Sequence, residues 1–203
     1  TGMTTEDIRD YFKILSSESK HPTGQAEKKI RYDLDMDFKP VTLVANERVC
    51  DDITLLKFSE SIDIQAGEFL FLWLPGIGEK PFSALSNAPL TLVAINVGTF
   101  TEALMALPPG TETYIRGPYG QAVVPTPQQR VIAVAGGTGL AAVYQIAKDY
   151  PGTEIFTGAR SKDRLYYLEE CREVATVHVA TDDGSEGHSG RVTEALETYL
   201  EAL

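Results

Sequence analysis

The sequence predicts a β plus α/β chain: an N-terminal antiparallel six-stranded barrel, then a parallel-sheet α/β domain. Two patterns predict it. From Lys39 to Arg116 apolar residues recur with period two, in short runs punctuated by turn residues. From Val131 onward strand-like runs alternate with amphipathic helical ones, the signature of a parallel sheet with helices on its faces. Between the two, Val124-Pro-Thr-Pro-Gln-Gln-Arg130 reads as a stiff polar linker. On these patterns the chain divides into an extension over 1–38, a barrel over 39–125 and an α/β domain over 126–203.

In the extension, Thr5 can cap a short helix with Ile8, Tyr11, Phe12 and Leu15 on one face, a face that packs on its own domain or on a partner. Ser16–Lys29 is polar and reads as a loop, and Thr1-Gly2 ahead of Met3 reads as an added remnant. The barrel strands are expected at Val41–Arg48, Ile53–Ser59, Glu68–Leu74, Phe82–Ser86, Leu90–Val97 and Thr113–Arg116. Asp51-Asp52, Ala66-Gly67, Pro75–Gly78 and Asn87–Pro89 separate the first five, and Thr99–Leu107 inserts one short helix. In the second half, strands are expected at Val131–Ala135, Thr153–Thr157 and Thr176–Thr181, with helices over 140–149, 163–173 and 191–202.

Composition narrows the function classes. The chain has 203 residues, 43% apolar and 23% charged, an ordinary globular balance with enough length for real cores. A net charge of −11 argues against nucleic acid and anionic membranes as partners, so any anionic ligand must be held by local donors. Two cysteines, Cys50 and Cys171, are far apart and read as buried apolar thiols. His21, His178 and His188 lack zinc spacing, and no metal site is expected. With no signal peptide and no run of about 18 apolar residues, a cytoplasmic location is the default.

Three short motifs carry candidate chemistry. Gly136-Gly-Thr-Gly139, between a strand and a helix, is either a phosphate seat at a helix N-terminus or a tight strand-to-helix turn. Its spacing is neither the full dinucleotide fingerprint nor a P-loop. Lys80-Pro-Phe-Ser83 sets a cation, an aromatic ring and a hydroxyl on one strand, suited to a pyrophosphate, a flat heterocycle and a ring nitrogen. Period two puts Lys80 and Phe82 on one face and Ser83 on the other, unless the strand twists locally. Val97-Gly-Thr-Phe-Thr101 is a glycine followed by hydroxyls opening a helix.

In order along the chain, these phrases resemble the ferredoxin reductase-like flavoproteins. The resemblance also rests on Gly67–Pro75, Arg116–Gly120, Thr157–Ser161 and Ala180–Ser185, and runs from about residue 39 to 194. It is strongest to the electron-transfer subunits of two-subunit, NAD-linked dihydroorotate dehydrogenases. It implies FAD rather than FMN in the barrel, NAD(H) or NADP(H) in the second domain, and electrons leaving for a catalytic dehydrogenase subunit or another acceptor protein. A non-catalytic assembly subunit and a stand-alone flavin reductase are the alternatives.

By the resemblance, Lys80 meets the flavin pyrophosphate, with Pro81 in the same cofactor-binding phrase, Phe82 lies by the isoalloxazine and Ser83, the one catalytic assignment, sits near its reactive nitrogen. Lys80 stands where the family has arginine, keeping the charge and losing the bidentate geometry. Val97, Gly98, Thr99 and Thr101 complete the flavin phosphate seat. Gly136, Gly137, Thr138 and Gly139 hold the dinucleotide, and Gly158 and Arg160 meet its adenosine ribose. Arg160, Ser161, Lys162 and Arg164 either favour a 2′-phosphate or are solvated helix-start charges, with NAD preferred. Asp182 belongs to the cofactor-lining set and, with Asp183, takes a turn role rather than an acid–base one, because hydride transfer between cofactors needs no protein acid. The related subunits also bind a [2Fe–2S] cluster through four C-terminal cysteines. Two cysteines cannot supply that set, so no iron–sulfur cluster is expected in this chain. The parallel sheet is expected to be shortened, either a reduced relative or a piece of a longer chain.

Overall fold

A computed structural model describes residues 38–126 and 129–203. The helix expected after Thr5 lies outside the described residues, as does part of the linker. Seven antiparallel strands come first: β1 (Lys39–Cys50), β2 (Ile53–Phe58), β3 (Glu68–Leu74), β4 (Gly78–Phe82), β5 (Ala84–Asn87), β6 (Leu90–Ile95) and β7 (Glu112–Gly120), with helix α1 (Thr99–Met105) between the last two. They form one sheet ordered β4-β3-β7-β1-β2-β6-β5. β1 pairs with β7 through Lys39–Thr42 and with β2 from Leu43 onward, a register shift at Leu43/Ala45 marking where it passes from one partner to the other. The edge strands β4 and β5 are joined by Ser83 alone, so the sheet curls until its two edges meet at that residue. Seven strands replace the six expected because Phe82–Ser86 is two strands broken at this corner.

Period two does its expected work in β3, where Leu70, Leu72 and Leu74 point into the core while Phe69, Phe71 and Trp73 alternate to the outer face. Val41, Leu43, Leu56, Phe58 and Leu92, all fully buried, fill the same core. On the outer face Arg116 lies 4.1 Å over the Phe71 ring and pairs with Glu79 through two hydrogen bonds, Nε at 2.8 Å and a second nitrogen at 2.5 Å. That charge in the Arg116–Gly120 phrase is therefore committed to the barrel.

The second sheet is parallel and four-stranded, ordered β11-β10-β9-β8, from β8 (Ile132–Gly136), β9 (Glu154–Ala159), β10 (Thr176–Thr181) and β11 (His188–Ser189). Helices α2 (Leu140–Asp149), α3 (Leu168–Val174) and α4 (Val192–Glu201) cover it. β11 is too short to show in the sequence pattern. The helix expected over 163–173 begins five residues late: Lys162–Arg164 is one 3-10 turn, and Tyr167 takes a left-handed φ of 59° that ends any continuous helical run. Cys171 is fully buried, and burial pushes its thiol up to about 12; Cys50 is only half-buried.

One apolar core joins the two sheets: Ile53, Leu55, Leu85 and Val93 from the first pack with Ala133, Leu140, Ala141, Val143 and Tyr144 from the second. Buried Gln145 on α2 donates to the Leu85 carbonyl at 3.0 Å, satisfying a polar group inside that seam. Among the described residues no helix is long and apolar enough to cross a membrane.

At the N-terminal end of β9, Glu154 accepts hydrogen bonds from Tyr199 (2.5 Å) and from Nε of Arg130 (2.9 Å) and lies 3.0 Å from Nε2 of His178, whose ring stacks on Phe156. The Tyr199 hydroxyl, then Arg130 and His178, hold the carboxyl at about 2, below its ordinary 4.5. A depressed carboxylate stabilises the fold above its unfolded pKa and loses that contribution as pH falls toward the folded one. Stability is therefore expected to drop by roughly 1–2 kcal/mol between pH 4.5 and 2 from this group. Urea unfolding of the Glu154→Gln variant should show a flatter acid limb; an unchanged limb would exclude the assignment.

Candidate functional site

Two clefts open where the barrel meets the parallel sheet, sharing Ile95 and Val97. The first, about 460 Å³, is lined by Lys80, Pro81, Phe82 and Ser83, by Val93, Ile95, Val97 and Thr101, and by Thr138, Gly139, Ala141 and Ala142. Ser83 lines it beside Lys80 and Phe82, against the period-two expectation, because the chain changes strands at that residue. Lys80 is exposed and Phe82 half-buried, its ring centroid 6.4 Å from that of Phe100. Among the described residues Lys80 forms no ion pair and the Ser83 hydroxyl no hydrogen bond.

The loop before α1 has a built shape. The Thr101 hydroxyl accepts from the Val97 N–H at 3.0 Å and donates to the Gly98 carbonyl at 3.0 Å. Its hydrogen-bonding capacity goes into the loop, which leaves Val97 82% exposed against both clefts. Gly98 and Thr99 line neither of these two clefts.

The glycine-rich turn stands between the clefts and contributes to both: Thr138 and Gly139 to the first, Gly136 and Gly137 to the second. β8 ends at Gly136, Gly137–Gly139 form one 3-10 turn, and α2 starts at Leu140. Gly137 has φ +54°, and its carbonyl accepts from the buried Tyr166 hydroxyl at 2.9 Å. A Cβ at Gly136 would meet nothing within 4 Å, so the turn's backbone borders open space that a ligand can approach.

The second cleft, about 690 Å³, adds Asp52, Ile53 and Asn96 from the barrel to Gly158, Ala159, Arg160 and Arg164 after β9, Asp182 after β10, and Arg191, Val192 and Thr193 at the start of α4. Gly158 has to be small here, since a Cβ would lie 2.9 Å from Cβ of Val192. Arg164 forms an ion pair with Asp52, a carboxyl this guanidinium holds below the ordinary range. Among the described residues Arg160 and Arg191 form no ion pair. Asp183 accepts from the Ser185 N–H at 3.0 Å and from its hydroxyl at 2.5 Å, a turn role, while exposed Asp182 borders the cleft. Sequence reasoning missed Asp52, Asn96 and Arg191, which read locally as a hairpin turn, a strand end and a helix start. No sequence motif marks them, because only the packing of the two sheets brings them to one cleft.

No protein-family model matches the chain. It is 37% identical to the probable dihydroorotate dehydrogenase B (NAD(+)) electron transfer subunit of Thermococcus kodakarensis, over 78% of this chain and 69% of that one. The subunits of the same name from Pyrococcus abyssi and Methanocaldococcus jannaschii are 41% and 36% identical, over 73% and 80% of this chain. The chain spans 60% and 64% of those two relatives. Among solved structures, that of the NADH-dependent reduced ferredoxin–NADP oxidoreductase superposes with a TM-score of 0.72 at 26% identity, over 80% of this chain and 64% of that one. A ferredoxin–NADP reductase from Neisseria gonorrhoeae, solved with bound FAD and NADP, shares the fold at 14% identity and a TM-score of 0.66, over 81% and 78% of the two chains.

Proposed function

Because the chain belongs to the family of dihydroorotate dehydrogenase B electron transfer subunits, we propose that it holds FAD in the corner cleft and a nicotinamide dinucleotide in the arginine-lined cleft, and delivers electrons to a catalytic dehydrogenase subunit. The observation that carries this is the shared wall. Gly136–Gly139 and Val97 border both clefts, so groups held in the two would adjoin.

The residues present fit such cofactors. Among the described residues the first cleft offers a cation without an ion pair, a half-buried aromatic ring and a hydroxyl without a hydrogen bond; the second offers an open glycine turn and two guanidiniums without an ion pair. When bound, the flavin supplies the chemistry, taking a hydride from reduced nicotinamide and passing electrons on. Lys80 neutralises the flavin pyrophosphate, Phe82 covers part of the ring system, and Ser83 hydrogen-bonds a ring nitrogen. Val97 presents backbone to the flavin phosphates from a loop that Thr101 holds in shape, with Gly98 and Thr99 beside it at the start of α1. Gly136, Gly137, Thr138 and Gly139 take the dinucleotide phosphates, with Gly158, Arg160 and Asp182 around the adenosine end. Residues 39–125 act as the flavin domain and 126–203 as the dinucleotide domain.

Lys80→Ala is expected to weaken FAD binding about tenfold, the loss of one charge-assisted contact, as read by flavin fluorescence titration. Anaerobic addition of NADH to the FAD-loaded chain should bleach the flavin band. A chain that binds no FAD overturns the proposal, and bound flavin that neither NADH nor NADPH bleaches supports the non-catalytic assembly role instead.

A further inference from the structure

Among the described residues three arginines line the cleft proposed for the dinucleotide, and one is already taken. Arg164, on the 3-10 turn after β9, pairs with Asp52, on the β1–β2 turn 112 residues earlier in the chain. Both side chains are partly sheltered, 25% and 30% exposed, where an ion pair is screened less than at the open surface. Asp52 is also tethered in place: its carbonyl accepts from the Asn96 N–H at 2.8 Å, and the Cys50 thiol donates to its carboxylate at 3.3 Å. A carboxylate anchored in this way holds Arg164 where it stands rather than following it into the cleft.

The end of β9 adds a second observation. In dinucleotide-binding sheets a carboxylate at the end of the second strand takes the ribose 2′-hydroxyl and repels a 2′-phosphate. Here the strand ends in Gly158-Ala-Arg-Ser161, with no acid at that place. Discrimination between the two dinucleotides must come from another group lining the cleft.

We propose that Asp52 is a specificity-determining residue of the dinucleotide cleft, and that by holding Arg164 it selects NAD(H) over NADP(H). Among the described residues Arg160, at the adenosine end, and Arg191 then remain without an ion pair, two positive charges for a dinucleotide whose diphosphate carries two negative ones. A 2′-phosphate brings roughly 1.5 to 2 further negative charges. With Arg164 engaged, that group is left to share Arg160 with the rest of the adenosine end, in a cleft also lined by the carboxylates of Asp52 and Asp182. This rests on the assignment of the cleft to a dinucleotide.

The test is calorimetric titration of the FAD-loaded chain with NAD+ and with NADP+, for the unaltered protein, Asp52→Ala, Asp52→Asn and Asp52→Ala/Arg164→Ala. The unaltered chain should prefer NAD+. Either Asp52 variant should shift the affinity ratio toward NADP+ by roughly tenfold or more, the worth of one charge-assisted hydrogen bond set. The double variant should lose that gain. Asp52→Asn keeps the side chain's size and serves if the alanine variant does not fold. A preference for NADP+ in the unaltered chain, or an unchanged ratio in both Asp52 variants, overturns the proposal. So does a gain that survives in the double variant, since bare repulsion by Asp52 would then account for it. Failure of both nucleotides to bind the unaltered chain is a different result: it removes the dinucleotide assignment and this inference with it.

Discussion

Gly187→Ala is expected to cost about 3–5 kcal/mol, an added Cβ there making the closest approach found at any glycine among the described residues. Gly187 has φ +67°, a left-handed conformation that alanine adopts only under strain. A Cβ there would also lie 2.1 Å from the Val179 carbonyl oxygen and 2.7 Å from its carbon. Those atoms belong to β10, which is hydrogen-bonded between β9 and β11 and cannot withdraw without unpairing one of them. The loop therefore has to move instead, taking with it the Thr181 hydroxyl, which donates to the Glu186 carbonyl at 2.8 Å, and the two-residue pairing of β11. Asp182 borders the arginine-lined cleft at the root of the same loop, so weaker binding of the proposed dinucleotide should accompany the lost stability. Urea unfolding measures the first effect and calorimetry the second. A variant within 1 kcal/mol of the parent would mean that the loop has a second, unstrained path.

The second large effect falls on the seam between the sheets. Leu85, fully buried on β5, packs in the core that barrel and parallel sheet share, and its carbonyl receives Gln145 from α2. Leu85→Ala should cost about 2–5 kcal/mol, because a rigid seam cannot collapse into the space left. Residues 38–203 form one compact unit, and both sheets should lose stability together in a single transition. Flavin fluorescence and far-UV circular dichroism should then give the same midpoint. Two separated transitions, with only one shifted, would show that the seam does not couple the halves.

Much of this was readable in the chain itself. β3 matches its expected span residue for residue, because Phe69–Leu74 alternates an aromatic residue with leucine and the run is bounded by turn residues on both sides. α2 and β10 were equally legible, the one from its helical period and the other from its β-branched run. The errors lie where tertiary contacts override local pattern. Phe82–Ser86 reads as one strand because nothing local to Ser83 announces a corner; closure of the sheet makes it one. Residues 163–173 read as one helix because their apolar spacing allows it. The structure turns the chain at Tyr167 instead, sinking Tyr166 beneath the glycine-rich turn and setting the Tyr167 ring 5.0 Å from that of Tyr144.

The candidate site divides in the same way. Lys80–Ser83, the Val97–Thr101 loop and Gly136–Gly139 were visible because each is a contiguous phrase whose residue types suit one chemistry. Asp52, Asn96 and Arg191 were not, since each is ordinary in its own segment. Period, turn residues and glycine placement act over a few neighbours, and those the sequence by itself determined: the two halves, most of their strands and the motifs at their ends. That Asp52 meets Arg164 across 112 residues, and that one glycine turn walls two clefts, was decided only by tertiary structure, because burying Leu85, Val93, Leu140 and Tyr144 in one core sets the sheets against each other.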